Sequence, residues 1–291
     1  MVDALKVKLH QFTDIYVRDL YWLLFSPAPI NSDAADFPLF PQDWLLRIEQ
    51  AHQRYFLELD QHPEKLHAFI ADRKSSRLGV YAEYLLAYFF ESSSEIEMLL
   101  HNYQLIHEKQ TIGEVDYIIK WENRLIHIEL AVKYYLALEP TEDRKRWVGS
   151  NGKDCLYDKL DKVKNHQLPL AKNKFFYAQT GLKPESFFLL RGAFFVKEFF
   201  LPSWGNPNGC YWRYHTFNAA KELVFNDNTF YFLQRPHWMA DLLVSDKVNK
   251  VELPKNQEAI DHLFYKKGAL LLMNRESEEI NLIVDDSIHL N

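Results

Sequence analysis

The chain has 291 residues, with 34 basic against 40 acidic side chains and a formal net charge of −6. That length allows one elaborated domain or two small ones. Hydrophobic residues at 47% and charged residues at 25% exclude wholesale disorder and describe an ordinary soluble globular chain. The acidic balance speaks against coating DNA or membranes by bulk charge, yet leaves room for a local basic site. Two cysteines, Cys155 and Cys210, are too few for a disulfide framework or a Cys-based zinc site. Asp3, Lys6, Lys8, Asp14, Arg18 and Asp19 break up the first 25 residues, which leaves no signal-peptide apolar block. No run of about 18 apolar residues suggests a membrane span. The expectation is a cytoplasmic protein with no membrane partner.

Residues 1–70 read as helical: Leu5, Phe12, Val17, Leu20, Trp22, Leu23 and Leu24 recur at helix-like spacings until Pro27 and Pro29. A second amphipathic helix is expected from Gln42 to about Leu59, and Ser75 or Ser76 can cap a third that runs through Phe90. From Leu105 the apolar period changes to two, so 105–135 reads as three consecutive strands. A basic helix follows at about Lys153–Leu168, then an apolar strand at Phe187–Lys197. The aromatic-rich remainder ends in an expected hairpin, Ala269–Asn274 with Glu279–Val284. This order predicts an α/β protein: an N-terminal helical extension (1–70), a core (71–200) and a C-terminal α+β extension (201–291).

Side chains alternate along a strand. Val115, Tyr117 and Ile119 therefore share one face of the second strand; Ile126, Ile128, Leu130 and Val132 share one face of the third. The opposite faces carry Glu114, Asp116, His127, Glu129 and Lys133, which predicts an apolar floor beneath a charged surface. A loop centred on Glu122-Asn123 pairs Trp121 with Arg124 and sets Asp116 opposite Glu129. Directly opposed Cβ atoms lie about 4.5–5.5 Å apart, where like charges repel. Such a pair needs a proton, a cationic partner or a metal, and Mg²⁺ typically takes one or two carboxylates plus waters and substrate phosphates. The alternative is a solvated strand face on which Lys133 or Arg124 neutralises the acids. In the preceding helix Glu83 shares a stripe with Gly79, Val80, Leu86, Ala87 and Phe90. Because Glu is almost never buried alone, it is either a third member of this site or a surface residue at the stripe's margin.

A capped helix with an internal Glu, a strand with Asp, a strand with Glu and Lys, and a helix resemble the PD-(D/E)XK nuclease superfamily. More narrowly, Arg77-Leu-Gly-Val-Tyr-Ala-Glu83, Gly113-Glu-Val-Asp116 and Ile128-Glu-Leu-Ala-Val-Lys-Tyr-Tyr-Leu136 resemble the bacterial domain-of-unknown-function 1853 family. Arg18-Asp-Leu-Tyr-Trp22 and Arg235-Pro-His-Trp238 fit that family too, so the resemblance spans most of the chain. It implies a PD-(D/E)XK nuclease-like core, a mixed central sheet flanked by helices. It also implies that Asp116 and Glu129 hold Mg²⁺ or Mn²⁺, with the Leu130 carbonyl as an additional ligand and Glu83 as an auxiliary acid and ligand. Lys133 would orient the attacking water or stabilise developing phosphate charge, since phosphodiester hydrolysis needs an activated nucleophile and charge compensation. One departure stands out. The superfamily places its lysine two residues after the acid, where this chain has Ala131. The Lys133 Cα lies about 13 Å along the strand from that of Glu129, rather than about 7 Å.

Between Asp143 and Lys174 nine basic residues face four acidic ones, the reverse of the whole-chain balance. Leu156, Leu160 and Val163 form the buried stripe of the basic helix, and Gln167 continues it until Pro169. Lys159, Lys162 and His166 point away from that stripe and, with Arg144 and Arg146, form a candidate phosphate-contacting face; a solvated Lys/Asp helix is the alternative. No Gly-rich phosphate loop, His-Glu-x-x-His or Gly-x-Ser-x-Gly motif occurs. Trp204, Trp212, Trp238, Tyr211 and Tyr214 could stack bases but suit packing better, and His215, His237 and His262 show no ligand spacing. The leading expectation is a metal-dependent nuclease acting on nucleic acid, either DNA or RNA. The alternatives are a catalytically impaired nucleic-acid-binding module and a protein-interaction domain.

Overall fold

The structure is a computed structural model that describes residues 2–223, 230–240, 250–254 and 256–288. Its first third is helical: α1 (Val2–Leu9), α2 (Ile15–Phe25), α3 (Gln42–Ala51), α4 (Gln53–Gln61), α5 (Glu64–Ala71) and α6 (Leu78–Ser92). The breaks have local causes. Asp14 accepts from the amides of Tyr16 and Val17 and starts α2, so the apolar pattern running to Pro27 is two helices. The long helix expected from Gln42 divides at His52, where φ of −108° and ψ of 11° leave the α region. There the ring bonds the Ile48 carbonyl and Ser93 Oγ. The N-cap of α6 is Arg77, which makes no side-chain cap bond; the Ser75 hydroxyl accepts from the Arg77 amide instead.

Three consecutive strands follow, β1 (Ile96–His107), β2 (Gln110–Trp121) and β3 (Arg124–Ala137). The first begins nine residues earlier than alternation suggests, because a register irregularity between Met98 and Leu100 interrupts its period. Next come β4 (Trp147–Gly149), α7 (Leu156–Lys162), a π-turn over Val163–Gln167, α8 (Leu168–Leu170), α9 (Lys174–Thr180) and β5 (Glu185–Val196). The C-terminal third holds β6 (Cys210–Thr216), α10 (Phe217–Leu223), β7 (Phe230–Leu233), β8 (Lys250–Glu252), α11 (Gln257–Lys267), β9 (Leu270–Asn274) and β10 (Ile280–Val284). The expected terminal hairpin is β9 with β10.

All ten strands form one mixed sheet in the order β1-β2-β3-β5-β6-β10-β9-β7-β8, with β4 paired to β3. Pairing is antiparallel from β1 to β3, parallel through β3, β5, β6 and β10, and antiparallel beyond. The sheet crosses residue 201 without a break. On one face α2 and α6 pack over Tyr117, Ile126, Ile128, Leu130 and Leu189. On the other, Leu156, Leu160 and Val163 pack over Ala131, Tyr135, Phe188 and Phe194. The region is thus α/β, as the element order predicts, with helices on both sides of a mixed sheet, as the resemblance implies.

Buried polar groups fix the N-terminal helices to this sheet. Arg191 of β5, 3% exposed, donates to the carbonyls of Leu23 and Leu24 at the end of α2, where the helix dipole favours a cation. Asp19 of α2 is fully buried and accepts from Tyr81 Oη at 2.8 Å, His237 Nδ1 at 2.9 Å and the Ala240 amide at 2.9 Å. The two family-like stretches at the chain's ends therefore meet. Trp204, Trp238 and Tyr214 are buried and His215 bonds Asn281; these residues pack rather than present faces for bases.

Candidate active site

The β2–β3 hairpin builds the site. Glu122 and Asn123 have φ of 46° and 62°, the two left-handed residues of a type I′ turn. Trp121 pairs with Arg124 and Tyr117 with Ile128. The ladder ends at that last pair; just beyond it Asp116 Oδ2 accepts from the Leu130 amide at 2.9 Å, which ties Asp116 to the strand that carries Glu129. The hairpin face is not the charged surface its sequence suggests. His127 and Glu129 are buried, at 0% and 2% exposure. Val115 also leaves the Tyr117 face and packs with Leu105, Ile118, Leu170 and Phe176.

What covers Glu129 is the helical segment after β4. Val163 to Gln167 forms a π-turn in which the Leu168 amide reaches the Val163 carbonyl. Pro169, lacking an amide hydrogen, could not continue a regular helix here without losing a bond and clashing. The extra residue turns Gln167 towards the sheet, and its Nε2 donates to Glu129 Oε1. Lys159 from α7 donates to Gln167 Oε1 at 2.9 Å and stands 3.6 Å from Glu129 Oε1. The second carboxylate oxygen, Glu129 Oε2, is buried and has no hydrogen-bond partner among the described residues.

Lys159 was expected on the outward face and is instead turned in, with its side chain only 15% exposed. Its spacing held the signal: position 159 lies three residues after Leu156 and four before Val163, at the margin of the buried stripe. Ala131, where the superfamily pattern has lysine, is buried against Leu156 and Leu160. A small side chain there lets α7 lie close enough for its own lysine to reach Glu129. Lys133 bonds Asp154 Oδ2 at 2.5 Å, so its ammonium is held by another acid, although it stands near enough to Lys159 to lower that residue's pKa.

The electrostatics follow from burial. Desolvation raises the pKa of Glu129 first, and repulsion by Asp116 adds to it, while Lys159 and Lys162 act in the opposite sense. Asp116 is also raised by desolvation, against the Leu130 amide bond and Lys159. Glu83, half-buried on α6, is pushed up to about 7 by desolvation and then by Asp116 and Glu114. These three acids therefore share one electrostatic neighbourhood. Among the described residues, however, no group of three or more His, Cys, Asp or Glu side chains is arranged around a common ion position. The pair Asp116 and Glu129 is the tighter unit. Hard carboxylate oxygens, one orphaned and buried, fit a divalent cation such as Mg²⁺ or Mn²⁺.

A cleft of about 560 Å³ opens beside Asp116, lined by Glu114, Lys162, Asn165, His166 and Gln167 among others. Lys162 and His166 line this cleft together with Asp116. Arg144 and Arg146 do not join them there: Arg144 donates to the Ala34 carbonyl and stacks on Trp204, and Arg146 donates to the Glu139 carbonyl. Both have structural tasks that sequence spacing does not reveal.

Among the described residues no helix is long and apolar enough to cross a membrane. A family model described as domain of unknown function (DUF1853) matches residues 18–283, and the chain belongs to that family. No curated protein and no solved structure matches the chain.

Proposed function

We propose that this member of the DUF1853 family is a metal-dependent nuclease of PD-(D/E)XK type that hydrolyses phosphodiester bonds of nucleic acid. The observation that carries the reading is the pair of half-buried Asp116 and buried Glu129, with an orphaned oxygen on Glu129 and the Lys159 ammonium 3.6 Å from the other oxygen. Asp116 and Glu129 would hold Mg²⁺ or Mn²⁺, with Glu83 as an auxiliary acid; the cation would activate water and offset charge on the phosphate. Lys159, not Lys133, stands where a lysine can stabilise the developing phosphate charge. Gln167 orients both Glu129 and Lys159 by its two amide atoms. Lys162 and His166 supply the rim that meets phosphates entering the cleft.

The test is cleavage of a panel of single- and double-stranded DNA and RNA by the purified chain in Mg²⁺ or Mn²⁺, with Asp116→Ala and Glu129→Gln in parallel. Cation-dependent cleavage lost in both variants supports the assignment; equal activity in Asp116→Ala sinks it. A second reading, a nucleic-acid-binding module without turnover, is favoured by the engagement of Lys133 with Asp154. It predicts salt-sensitive binding with no cleavage by the wild-type chain on any substrate.

A further inference from the structure

A separate cavity of about 570 Å³ lies where the loop after β4 meets the end of α11 and the segment after β10. Ser150, Asn151, Gly152, Arg235, Lys267 and Ser287 are among the residues that line it. Arg235 comes from the second family-like stretch, for which the proposed nuclease centre has no use. Its guanidinium stacks on the Trp238 indole, 4.3 Å from the ring centroid, and burial lowers its pKa. Among the described residues neither Arg235 nor Lys267 has a carboxylate within ion-pair distance. The acid lining the cavity, Asp285, is engaged by both the amide and the hydroxyl of Ser287.

Two cations that make no ion pair among the described residues share the cavity with a single carboxylate, already bonded to Ser287, and with hydroxyl, amide and backbone groups; that excess of donors matches the several acceptor oxygens of a phosphate. A guanidinium held over an indole ring is restrained before binding, so less entropy is lost on binding. The cavity is also tied to the β3 strand. Tyr134 Oη donates to the Trp238 carbonyl at 3.0 Å, and the 150–154 loop supplies both the cavity wall and Asp154, the partner of Lys133. We infer that this cavity is a phosphate-binding site, with Arg235 and Lys267 as the anion-holding residues. Its volume exceeds a lone phosphate and suits one carried on a nucleotide or on a nucleic-acid strand. The assignment does not depend on hydrolysis at Asp116 and Glu129.

The experiment is calorimetric titration of the full chain, in EDTA, with inorganic phosphate, adenosine 5′-monophosphate and a short single-stranded oligonucleotide. At least one of the three is expected to bind, and Lys267→Ala to weaken that binding about tenfold. Arg235→Gln is expected to remove it. Lys267 is exposed, so its variant decides the matter even if Arg235→Gln misfolds. Binding of phosphate or the monophosphate identifies a free-nucleotide source; binding of the oligonucleotide alone identifies a strand. No binding by any of the three, or binding undiminished in Lys267→Ala, overturns the site.

Discussion

Lys159 and Lys133 stand in different places: one beside Glu129, the other on Asp154. Lys159 has a half-buried ammonium beside Glu129 and Gln167, with desolvation lowering its pKa; Lys133 is held by Asp154. Lys159→Ala is therefore expected to cost about 10²–10³-fold in kcat, the scale of losing one electrostatic stabiliser, and Lys133→Ala less than about tenfold. Steady-state cleavage kinetics compare them directly, and a larger loss in Lys133→Ala would reverse the assignment. The acids were legible in the sequence because strand alternation and a two-residue turn fix their register. The lysine was not, because a residue at the margin of a helical stripe can turn either way. Only the small Ala131 beneath α7 decides that Lys159 turns inward.

At the scale of elements, the hairpin and the π-turn do the positioning. Gln167 reaches Glu129 because five residues, Val163–Gln167, take the wider turn before Pro169. Deleting Asn165 would restore regular helical phase and swing Gln167 off the site; the expected result is a folded protein with most divalent-dependent cleavage lost. Retained cleavage in that deletion would show that the amide does not orient the acids. Gly192 offers a second test. It pairs with Lys133 across β3 and β5, has φ of 145°, and a Cβ there would fall 1.7 Å from the Lys133 carbonyl oxygen. Gly192→Ala is expected to lower stability by about 1–3 kcal/mol, read from denaturant midpoints, and a neutral result would mean that the β3 backbone yields freely. The hairpin and its register follow from period and turn chemistry, whereas a π-turn leaves no signal beyond a proline late in a helix.

Across the whole molecule, one sheet carries the acids at one end and the C-terminal strands at the other, and helices cover both faces. The α/β class was foreseeable from the element order, and the mixed sheet from the family resemblance. The anchors that join the chain's ends were not, because Arg191 beneath α2 and Asp19 with Tyr81 and His237 are contacts between residues far apart in sequence. Burial of Glu83, Asp116 and Glu129 has a global consequence. Their pKa values are raised, so the folded state keeps protons that the unfolded chain has already released. Their contribution to stability is complete below the ordinary carboxylate range and is lost as pH rises, through about 7 for Glu83. In EDTA the thermal midpoint is expected to fall between about pH 5 and pH 8. Asp116→Asn, which keeps an acceptor for the Leu130 amide, is expected to flatten that slope; an unchanged slope would show that the pair is not ionising within the fold. Divalent cation should restore the midpoint at the upper end, since a ligand of the folded state stabilises it.

In the proposed function Asp116 and Glu129 form one divalent-cation site. Counting bound Mn²⁺ by electron paramagnetic resonance, in wild type and in Asp116→Asn at about pH 8, tests it most directly. The expected result is saturable binding by the wild-type chain that is lost in the variant. Equal binding by the two proteins, or none by either, would contradict it.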